Sequence, residues 1–224
     1  MNTQFACPLC NSNQSYHYFE DEKRPFHHCP TCSLVFVPPA YHLSPTAEKA
    51  EYDLHQNDPW DQGYRSFLSR LFLPMQERLA PNSLGLDFGS GPGPTLSVMF
   101  EEVGHRMAIY DLFYARNTAV FCQTYDFITA TEVVEHLHHP QFELDRLWSL
   151  LKPGSTLGIM TKLVIDQAAF AKWHYKNDPT HVCFFSRKTF TWLAGQWRAN
   201  LAFFDNDVIL LRKEDHFDDR SRSI

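Results

Sequence analysis

The sequence predicts an α/β protein whose main domain is a doubly wound, mostly parallel sheet of the seven-stranded type. Three observations support this fold class. Short apolar runs alternate with helical patterns from residue 61 onwards, a glycine-rich turn follows the first of these runs, and two final runs form a hairpin. The alternation accounts for the parallel strands, and the hairpin accounts for an antiparallel edge. A small cysteine-rich module precedes this domain.

The individual elements follow from apolar periodicity and from turn residues. Strands are predicted at residues 84–88, 106–110, 118–122, 125–131, 155–161, 201–205 and 208–212. Helices are predicted at residues 46–56, 62–79, 94–103, 142–151, 167–173 and 186–197. Pro74 is expected to kink or split the second of these helices.

Composition divides the chain into four segments. We expect a module at residues 1–40, a polar linker at 41–60, the main domain at 61–213 and a flexible charged tail at 214–224. The net charge of −6 argues against broad binding of nucleic acid, which needs a basic face. We find neither an apolar run of about 18 residues, as a membrane span requires, nor a signal peptide. A cytoplasmic protein is therefore expected.

The stretch from Leu86 to Gly93 places a glycine-rich turn between a strand and a helix. Glycines allow a sharp turn and a close approach of the backbone to a ligand, to which the helix N-terminus presents its amides. Asp111 comes 22 residues after Gly89, at a position where a carboxylate accepts hydrogen bonds from ribose hydroxyls. Pro94 occupies the last position of a dinucleotide motif, which disfavours a nicotinamide dinucleotide. A tight turn without a ligand is the remaining alternative.

Residues 87–93, with the pattern D-x-G-x-G-x-G, resemble motif I of the class I S-adenosylmethionine-dependent methyltransferases. Residues 125–137 resemble the fourth-strand motif of this family, and Lys-Pro-Gly at 152–154 is also typical of it. The resemblance covers about residues 60–213 and extends to the ubiquinone-pathway methyltransferases. It implies a Rossmann-like fold and an S-adenosylmethionine site formed by Asp87, Phe88, Gly89, Ser90, Gly91, Gly93, Asp111, Leu112 and Glu132.

The segment between Asp111 and Asp126 departs from that family. Only 14 residues separate them, where the family usually has a helix, a strand and an acidic contact to adenine. The sheet is therefore expected to be abbreviated after its second strand. How adenine is held stays open, with Leu112 and Phe113 as candidates for apolar cover.

Four of the six cysteines form two C-x-x-C pairs separated by 18 residues, namely Cys7, Cys10, Cys29 and Cys32. Two such pairs supply the four thiolates of a tetrahedral, structural zinc site. We expect a zinc ribbon that braces the fold or covers the substrate pocket, since its few basic residues disfavour contacts with RNA phosphates. Asn11 and Ser33 stand where such ribbons often have glycine. Cys122 and Cys183 are expected to be small buried residues.

An acidic and histidine-rich cluster is expected at the carboxyl end of the fourth strand, where open α/β sheets bind ligands. Glu132, Glu135 and His136 share one face of a helical turn, and His181 follows at the same rim. One interpretation limits Glu132 to cofactor contact and the others to local hydrogen bonds. A second makes His136 or His181 a general base, with Glu135 beside them. In the third, all four residues hold a divalent metal, a pattern similar to metal-dependent small-RNA 2′-O-methyltransferases.

The resemblance implies methyl transfer to a small or medium acceptor, and we favour a hydroxyl of a metabolite or sugar-like group. An RNA or protein methyltransferase that uses the ribbon for recognition is one alternative. A continuous basic surface joining ribbon and cleft would favour RNA. A non-catalytic cofactor-binding protein is the other alternative, and a cleft blocked on the acceptor side would favour it.

Overall fold

The computed structural model describes residues 5–54 and 57–215, which contain two β-sheets. The small sheet consists of β1 (Tyr16–Glu20), β2 (Pro25–His28), β3 (Val35–Phe36) and β8 (Cys183–Phe184). The main sheet consists of β4 (Leu84–Phe88), β5 (Arg106–Tyr110), β6 (Tyr125–Thr131), β7 (Leu151–Met160), β9 (Asn200–Phe204) and β10 (Val208–Arg212). The α-helices are α1 (Pro45–Tyr52), α2 (Gln62–Gln76), α3 (Thr95–Glu102), α4 (Pro140–Leu150), α5 (Gln167–Ala171) and α6 (Arg187–Trp197). Short 3-10 helices occupy Pro39–Tyr41, Thr118–Cys122, Val134–His136 and His174–Asn177.

The strand order of the main sheet is β5-β4-β6-β7-β10-β9. Strands β5, β4, β6 and β7 are parallel, whereas β10 is antiparallel to both of its neighbours, β7 and β9. The chain leaves β4 toward one edge to form β5 and then returns to form β6, so β4 and β6 flank a topological switch point. The predicted doubly wound, mostly parallel sheet with an antiparallel edge is confirmed, in an abbreviated, six-stranded form.

Neighbouring residues on the central strands point into two different apolar layers. Phe127 and Leu210 pack with residues of α2 and α3 on one face of the sheet. Ile128 and Ile209 pack with residues of α4 and α6 on the other face. Helices therefore cover both faces, as a parallel sheet requires.

Residues 118–122 form a 3-10 helix, so the strand predicted there was wrong. The Asn117 side chain accepts a hydrogen bond from the Ala119 amide at 3.1 Å, which favours a helical turn. Val120 is the buried residue of this segment, and its carbonyl accepts a hydrogen bond from the Tyr125 hydroxyl at 2.7 Å. Since a parallel crossover alone takes a dozen or more residues, the short connection between β5 and β6 has no room for a further strand.

The cysteine-rich module is joined to the main domain through a shared sheet and a shared core. Strand β3 pairs with β8 in antiparallel fashion, with Val35 opposite Phe184 and Phe36 opposite Cys183. Buried residues of the module belong to the same apolar cluster as residues of α4, α6 and the main sheet. The module therefore obtains its fourth strand from a segment about 150 residues away.

Some element ends differ from the predicted ones. Helix α1 ends at Tyr52, and residues 55 and 56 of the predicted helix lie outside the described residues, as do residues 216–224 of the predicted tail. Helix α2 continues through Pro74, which lies in its last turn, so the expected split does not occur. Strand β7 begins at Leu151, earlier than predicted. Among the described residues, no helix is both long and apolar enough to cross a bilayer.

Candidate active site

A cavity of about 590 Å³ opens at the carboxyl ends of β4, β5 and β6, the topological switch point. Its volume is in the range of small-molecule sites. The turns after these strands, α1, α2 and the loop that contains Asp178 and His181 contribute its walls. The lining residues are Glu48, Tyr52, Asn57, Tyr64, Phe67, Phe88, Gly89, Ser90, Gly91, Pro92, Tyr110, Asp111, Leu112, Phe113, Tyr114, Thr131, Glu132, Val133, His136, Leu137, Asp178 and His181.

The glycine turn after β4 is held by the neighbouring strand. The amides of Gly89 and Ser90 donate to the carbonyl oxygen of Tyr110, at 2.7 and 3.2 Å. Gly89 has a φ of 77°, in the left-handed region that favours glycine. A Cβ atom at this position would lie 2.3 Å from the Val133 side chain. Only glycine therefore lets the turn bring its backbone to the edge of the cavity.

The carboxylate of Asp111 connects the glycine turn with the loop after β5. Its Oδ2 accepts a hydrogen bond from the Gly91 amide at 2.9 Å. Its Oδ1 accepts from the amides of Phe113 and Tyr114, at 2.8 and 3.0 Å. A carboxylate has about four acceptor positions, so three amide donors leave one position for a further donor. Asp111 thus braces both walls and also faces the cavity.

Asp87 and Gly93, both predicted to contact the cofactor, lie beneath the glycine turn and do not line the cavity. Asp87 is only 4% exposed, and the hydroxyls of Thr129 and Ser97 donate to its carboxylate at 2.9 and 3.2 Å. Burial raises the pKa of Asp87 to about 6. A Cβ atom on Gly93 would lie 1.8 Å from the Asn57 carbonyl oxygen. These two residues support the turn, and the other seven predicted contact residues line the cavity.

Three buried polar atoms on lining residues lack a hydrogen-bond partner within the described part of the chain, namely Oγ of Ser90, Oγ1 of Thr131 and Oε1 of Glu132. Glu132 also has a φ of 53°, which is strained for a residue with a side chain. Burial, and then repulsion by Glu135, raise the pKa of Glu132 to about 8. Buried polar atoms are nearly always paired, so these atoms indicate a site for a polar ligand.

A histidine pair lies at the part of the cavity next to Asp178. The ring centroids of His136 and His181 are 4.6 Å apart. Nδ1 of His181 donates to the Tyr175 carbonyl at 2.7 Å, and Nδ1 of His136 donates to the Thr180 carbonyl at 3.3 Å. Because a carbonyl oxygen only accepts, each Nδ1 carries a proton. In the neutral ring, Nε2 is then the atom that accepts a proton.

Glu135 is fully buried and does not line the cavity. Its carboxylate accepts hydrogen bonds from the hydroxyls of Thr161, at 3.0 Å, and of Tyr175. Burial raises the pKa of Glu135 to about 7. Three residues, Glu135, His136 and His181, each offer one ligand atom, and these atoms lie within 4.8 Å of one another. They could therefore share a metal ion. Glu132, the fourth expected ligand, does not belong to this set.

Residues that we placed in a linker contribute to the site. Helix α1 brings Glu48 and Tyr52 to the cavity, and the Tyr52 hydroxyl donates to Glu48 at 2.9 Å. The ring of Tyr52 lies edge-on to His136, with 5.3 Å between the centroids. Asp178 also lines the cavity, and it accepts from the Thr180 amide and hydroxyl at 2.8 and 2.6 Å. The i, i+4 spacing of Glu48 and Tyr52 indicates that they share one face of a helix. Which surface that face covers depends on tertiary packing, so the sequence does not place them at the cavity.

The four paired cysteines come together in the N-terminal module. Their sulfur atoms all lie within 4.8 Å of one another, with 3.5 Å between Cys7 and Cys32 and 3.4 Å between Cys10 and Cys29. Asn11 and Ser33 follow the two pairs with φ values of 56° and 60°. Their amides donate back to the carbonyl of the first cysteine of each pair, at 2.9 and 2.8 Å. Two matching turns with a four-sulfur donor set fit a tetrahedral zinc ion.

The fold and the cavity agree with what the chain is similar to. Residues 57–203 match the family model of a methyltransferase domain, which is more than half of the chain. The chain belongs to this methyltransferase family. The predicted enzyme class, an S-adenosylmethionine-dependent methyltransferase, is thereby confirmed. No curated protein matches this methyltransferase in sequence.

Two solved methyltransferases have the same fold. The first is 1,6-didemethyltoxoflavin-N1-methyltransferase from Burkholderia thailandensis, with bound 1,6-didemethyltoxoflavin and S-adenosylhomocysteine. It is 15% identical with a TM-score of 0.52, and the match covers 89% of this chain and 99% of that one. The second is magnesium protoporphyrin IX methyltransferase from Synechocystis, with bound S-adenosylhomocysteine. It is 12% identical with a TM-score of 0.51, and the match covers 75% and 94% of the two chains.

If the cluster holds zinc, as proposed from its four sulfur atoms, Cys29→Ser should lower the zinc content of the purified protein and destabilise the module, because a serine hydroxyl replaces a thiolate ligand. Elemental analysis of the purified protein and thermal unfolding measure the two effects. Cys122→Ser is the matched control, because Cys122 is exposed and lies outside the cluster. The prediction that Cys122 is buried was wrong, whereas Cys183 is buried as predicted. Full zinc content in Cys29→Ser would contradict the site.

We expect the Asp87 carboxyl to make stability depend on pH between about 4 and 6. Since its pKa is about 6 in the folded protein and about 4 when unfolded, the folded state holds the proton more tightly. The free energy of unfolding should therefore fall by roughly 2–3 kcal/mol as the pH rises through this window. Denaturant titrations of the wild type and of Asp87→Asn at several pH values isolate this contribution. Parallel pH profiles for the two proteins would show that it is wrong.

Proposed function

We propose that this methyltransferase transfers a methyl group from S-adenosylmethionine to a hydroxyl of a small or medium polar acceptor. The supporting observation is the convergence of the glycine turn, Asp111 and the unpaired atoms of Ser90 and Glu132 on one cavity of about 590 Å³. When bound, S-adenosylmethionine supplies a methyl group that its sulfonium already activates. The protein must mainly align the acceptor with the donor and exclude water, and such positioning supplies about 7–11 kcal/mol at its best.

The glycine turn offers groups for each polar part of the cofactor. The remaining acceptor position of Asp111 suits a ribose hydroxyl. Ser90 and Glu132 suit the amino-acid end, because a hydroxyl pairs with a carboxylate and a carboxylate pairs with an ammonium group. A bound cation favours the ionised form of Glu132, so we expect cofactor binding to lower the pKa of that side chain from its raised value.

Adenine recognition is proposed to rest on apolar and aromatic contacts. Leu112 and Phe113 line the cavity directly after Asp111. Residues 115–130 are all described, and none of them lines the cavity. The segment that usually supplies an acidic contact to adenine therefore contributes no wall to this space, which leaves the loop after β5 as the proposed adenine site.

His181 is the proposed general base, and His136 lies beside it. Burial lowers the pKa of His181, so its ring is neutral near pH 7. The hydrogen bond from Nδ1 to Tyr175 directs Nε2 to accept a proton. Nε2 lies 3.7 Å from a carboxylate oxygen of Asp178, which would stabilise the ring once it is protonated. Glu135 is proposed to orient Tyr175 rather than to take the proton itself.

A divalent metal at Glu135, His136 and His181 is a second candidate, favoured by the 4.8 Å spacing of their ligand atoms. The general-base proposal is favoured instead, because Glu135 is fully buried and does not line the cavity in which the acceptor would bind. The two mechanisms differ in their response to a chelator. Activity that Mg²⁺ or Mn²⁺ restores after chelation would favour the metal.

The charge of the cavity supports an uncharged or cationic acceptor. Besides Glu132, which is assigned to the cofactor, its lining includes the carboxylates of Glu48, Asp111 and Asp178, and no described lining residue is Lys or Arg. Such a lining disfavours phosphate and carboxylate groups. The cysteine-rich segment contains only two basic residues, and one of them, Arg24, is 7% exposed. A basic surface from the ribbon to the cleft, which the RNA alternative requires, is therefore not supported.

We expect Gly91→Arg to weaken the binding of S-adenosylhomocysteine at least about 100-fold, because the added side chain enters the cavity. Isothermal titration calorimetry measures the affinity. Gly104→Arg is the matched control, since Gly104 also has a positive φ, of 90°, and a Cβ there meets no atom within 4 Å. Equal affinity in the two variants would contradict the cofactor site.

The same two variants test the transfer reaction. Wild type and Gly104→Arg should transfer label from methyl-labelled S-adenosylmethionine to hydroxyl groups in a small-molecule extract, whereas Gly91→Arg should not. Mass spectrometry identifies the labelled products. Label in the RNA or protein fraction, with none in the small molecules, would contradict the proposed acceptor.

A further inference from the structure

The turn between β1 and β2 places a buried arginine against the loop of the proposed general base. Arg24 is 7% exposed, and its guanidinium donates to three backbone carbonyls. These belong to Lys176, Asp178 and Pro179, at 2.7, 2.6 and 3.0 Å. The rigid fork of five N–H donors in a guanidinium suits such a set of acceptors.

Five of the six carbonyl groups of residues 175–180 are divided between Arg24 and the two histidines. Those of residues 176, 178 and 179 accept from Arg24. Those of residues 175 and 180 accept from Nδ1 of His181 and of His136. A rotation of the backbone in this loop would therefore move the carbonyls that determine which histidine nitrogen is protonated. Arg24 prevents such a rotation by holding the carbonyls in between.

The N-terminal module fixes the position of Arg24. The Asp21 carboxylate accepts from the amides of Lys23 and Arg24, at 2.9 Å each, which orders the turn. The guanidinium carbon lies 5.3 Å from the ring centroid of Phe26, a fully buried residue of β2. Strand β2 leads directly into the second cysteine pair at Cys29. The cysteine cluster and Arg24 therefore belong to one packed unit.

We propose that Arg24 is a positioning residue for methyl transfer and that the module serves to present it to the 175–181 loop. This inference rests on the proposed function, in which His181 accepts the proton. None of the residues 5–40 lines the cavity, so the module acts on the site through this loop and without contact to the substrate. Loss of an arginine that only stabilised the chain would speed amide hydrogen exchange everywhere. Loss of a positioning arginine changes amide exchange in this loop and the tautomer of His181.

Arg24→Lys tests the proposal with the charge retained, because a single ammonium group cannot bond three separated carbonyls in the same way. We expect amide hydrogen exchange within residues 175–182 to become at least about 10-fold faster, with the glycine turn unchanged. Nuclear magnetic resonance should show a smaller fraction of His181 with the proton on Nδ1. Zinc content and affinity for S-adenosylhomocysteine should stay within about 2-fold of the wild type. Lys23→Ala, the neighbouring position, is the matched control and should behave as the wild type.

Arg24→Ala supplies a second, independent arm. If it folds, added guanidinium ions should restore slow exchange in the loop and the His181 tautomer, because they can replace the missing donor group. If it does not fold, Arg24→Lys alone decides. Unchanged exchange and tautomer in Arg24→Lys, or equal loss of protection throughout the chain, would overturn the proposal. These readouts need neither cofactor nor acceptor, so a wild type that failed to bind S-adenosylhomocysteine would contradict the proposed function alone.

Discussion

The hydrogen bonds from three backbone amides to the Asp111 carboxylate are the interaction on which the proposed cofactor side of the cavity depends. Two of these amides belong to the loop after β5, and the third belongs to Gly91 in the turn after β4. Hydrogen bonds to an ionised acceptor are stronger than those between neutral groups. A glycine-rich turn is flexible by itself, so this bond to Asp111, together with those to the Tyr110 carbonyl, fixes its shape.

The proposed acceptor side of the cavity is built in a different way. Its residues come from α1, from the turn after β6 and from the loop before β8, and that loop is held by Arg24 of the cysteine-rich module. The pairing of β3 with β8 makes the module and the loop parts of one sheet. The cofactor side thus depends on neighbouring strands, whereas the proposed acceptor side depends on segments that are far apart in sequence.

The fold and the site differ in how much of them the sequence could predict. Three strands have the predicted bounds, because each is a short apolar run that ends at a turn signal. They are β4 (Leu84–Phe88), β5 (Arg106–Tyr110) and β6 (Tyr125–Thr131). The clustering of the four cysteines was predictable because two C-x-x-C pairs at this spacing are typical of a structural metal site. The strand expected at 118–122 was wrong, since the cap at Asn117 outweighed the apolar content of the segment.

Contacts between distant segments explain the functional residues that sequence reasoning missed. The three carbonyl partners of Arg24 lie more than 150 residues away, so no local pattern could indicate them. Glu48 and Tyr52 reach the cavity only because α1 folds back over the turn after β6. Asp87 is the acidic residue of the expected motif, but its carboxylate accepts hydrogen bonds from Thr129 and Ser97 and therefore lies beneath the turn.

The most direct test of this architecture is a calorimetric titration of S-adenosylhomocysteine into Asp111→Asn. The asparagine oxygen can still accept from the amides of Phe113 and Tyr114, but its amide nitrogen cannot accept from Gly91 or from a ribose hydroxyl. We predict binding at least about 10-fold weaker than in the wild type, the loss that one or two bonds to a charged group would cause. Wild-type affinity in a folded Asp111→Asn protein would contradict the central role given to this carboxylate.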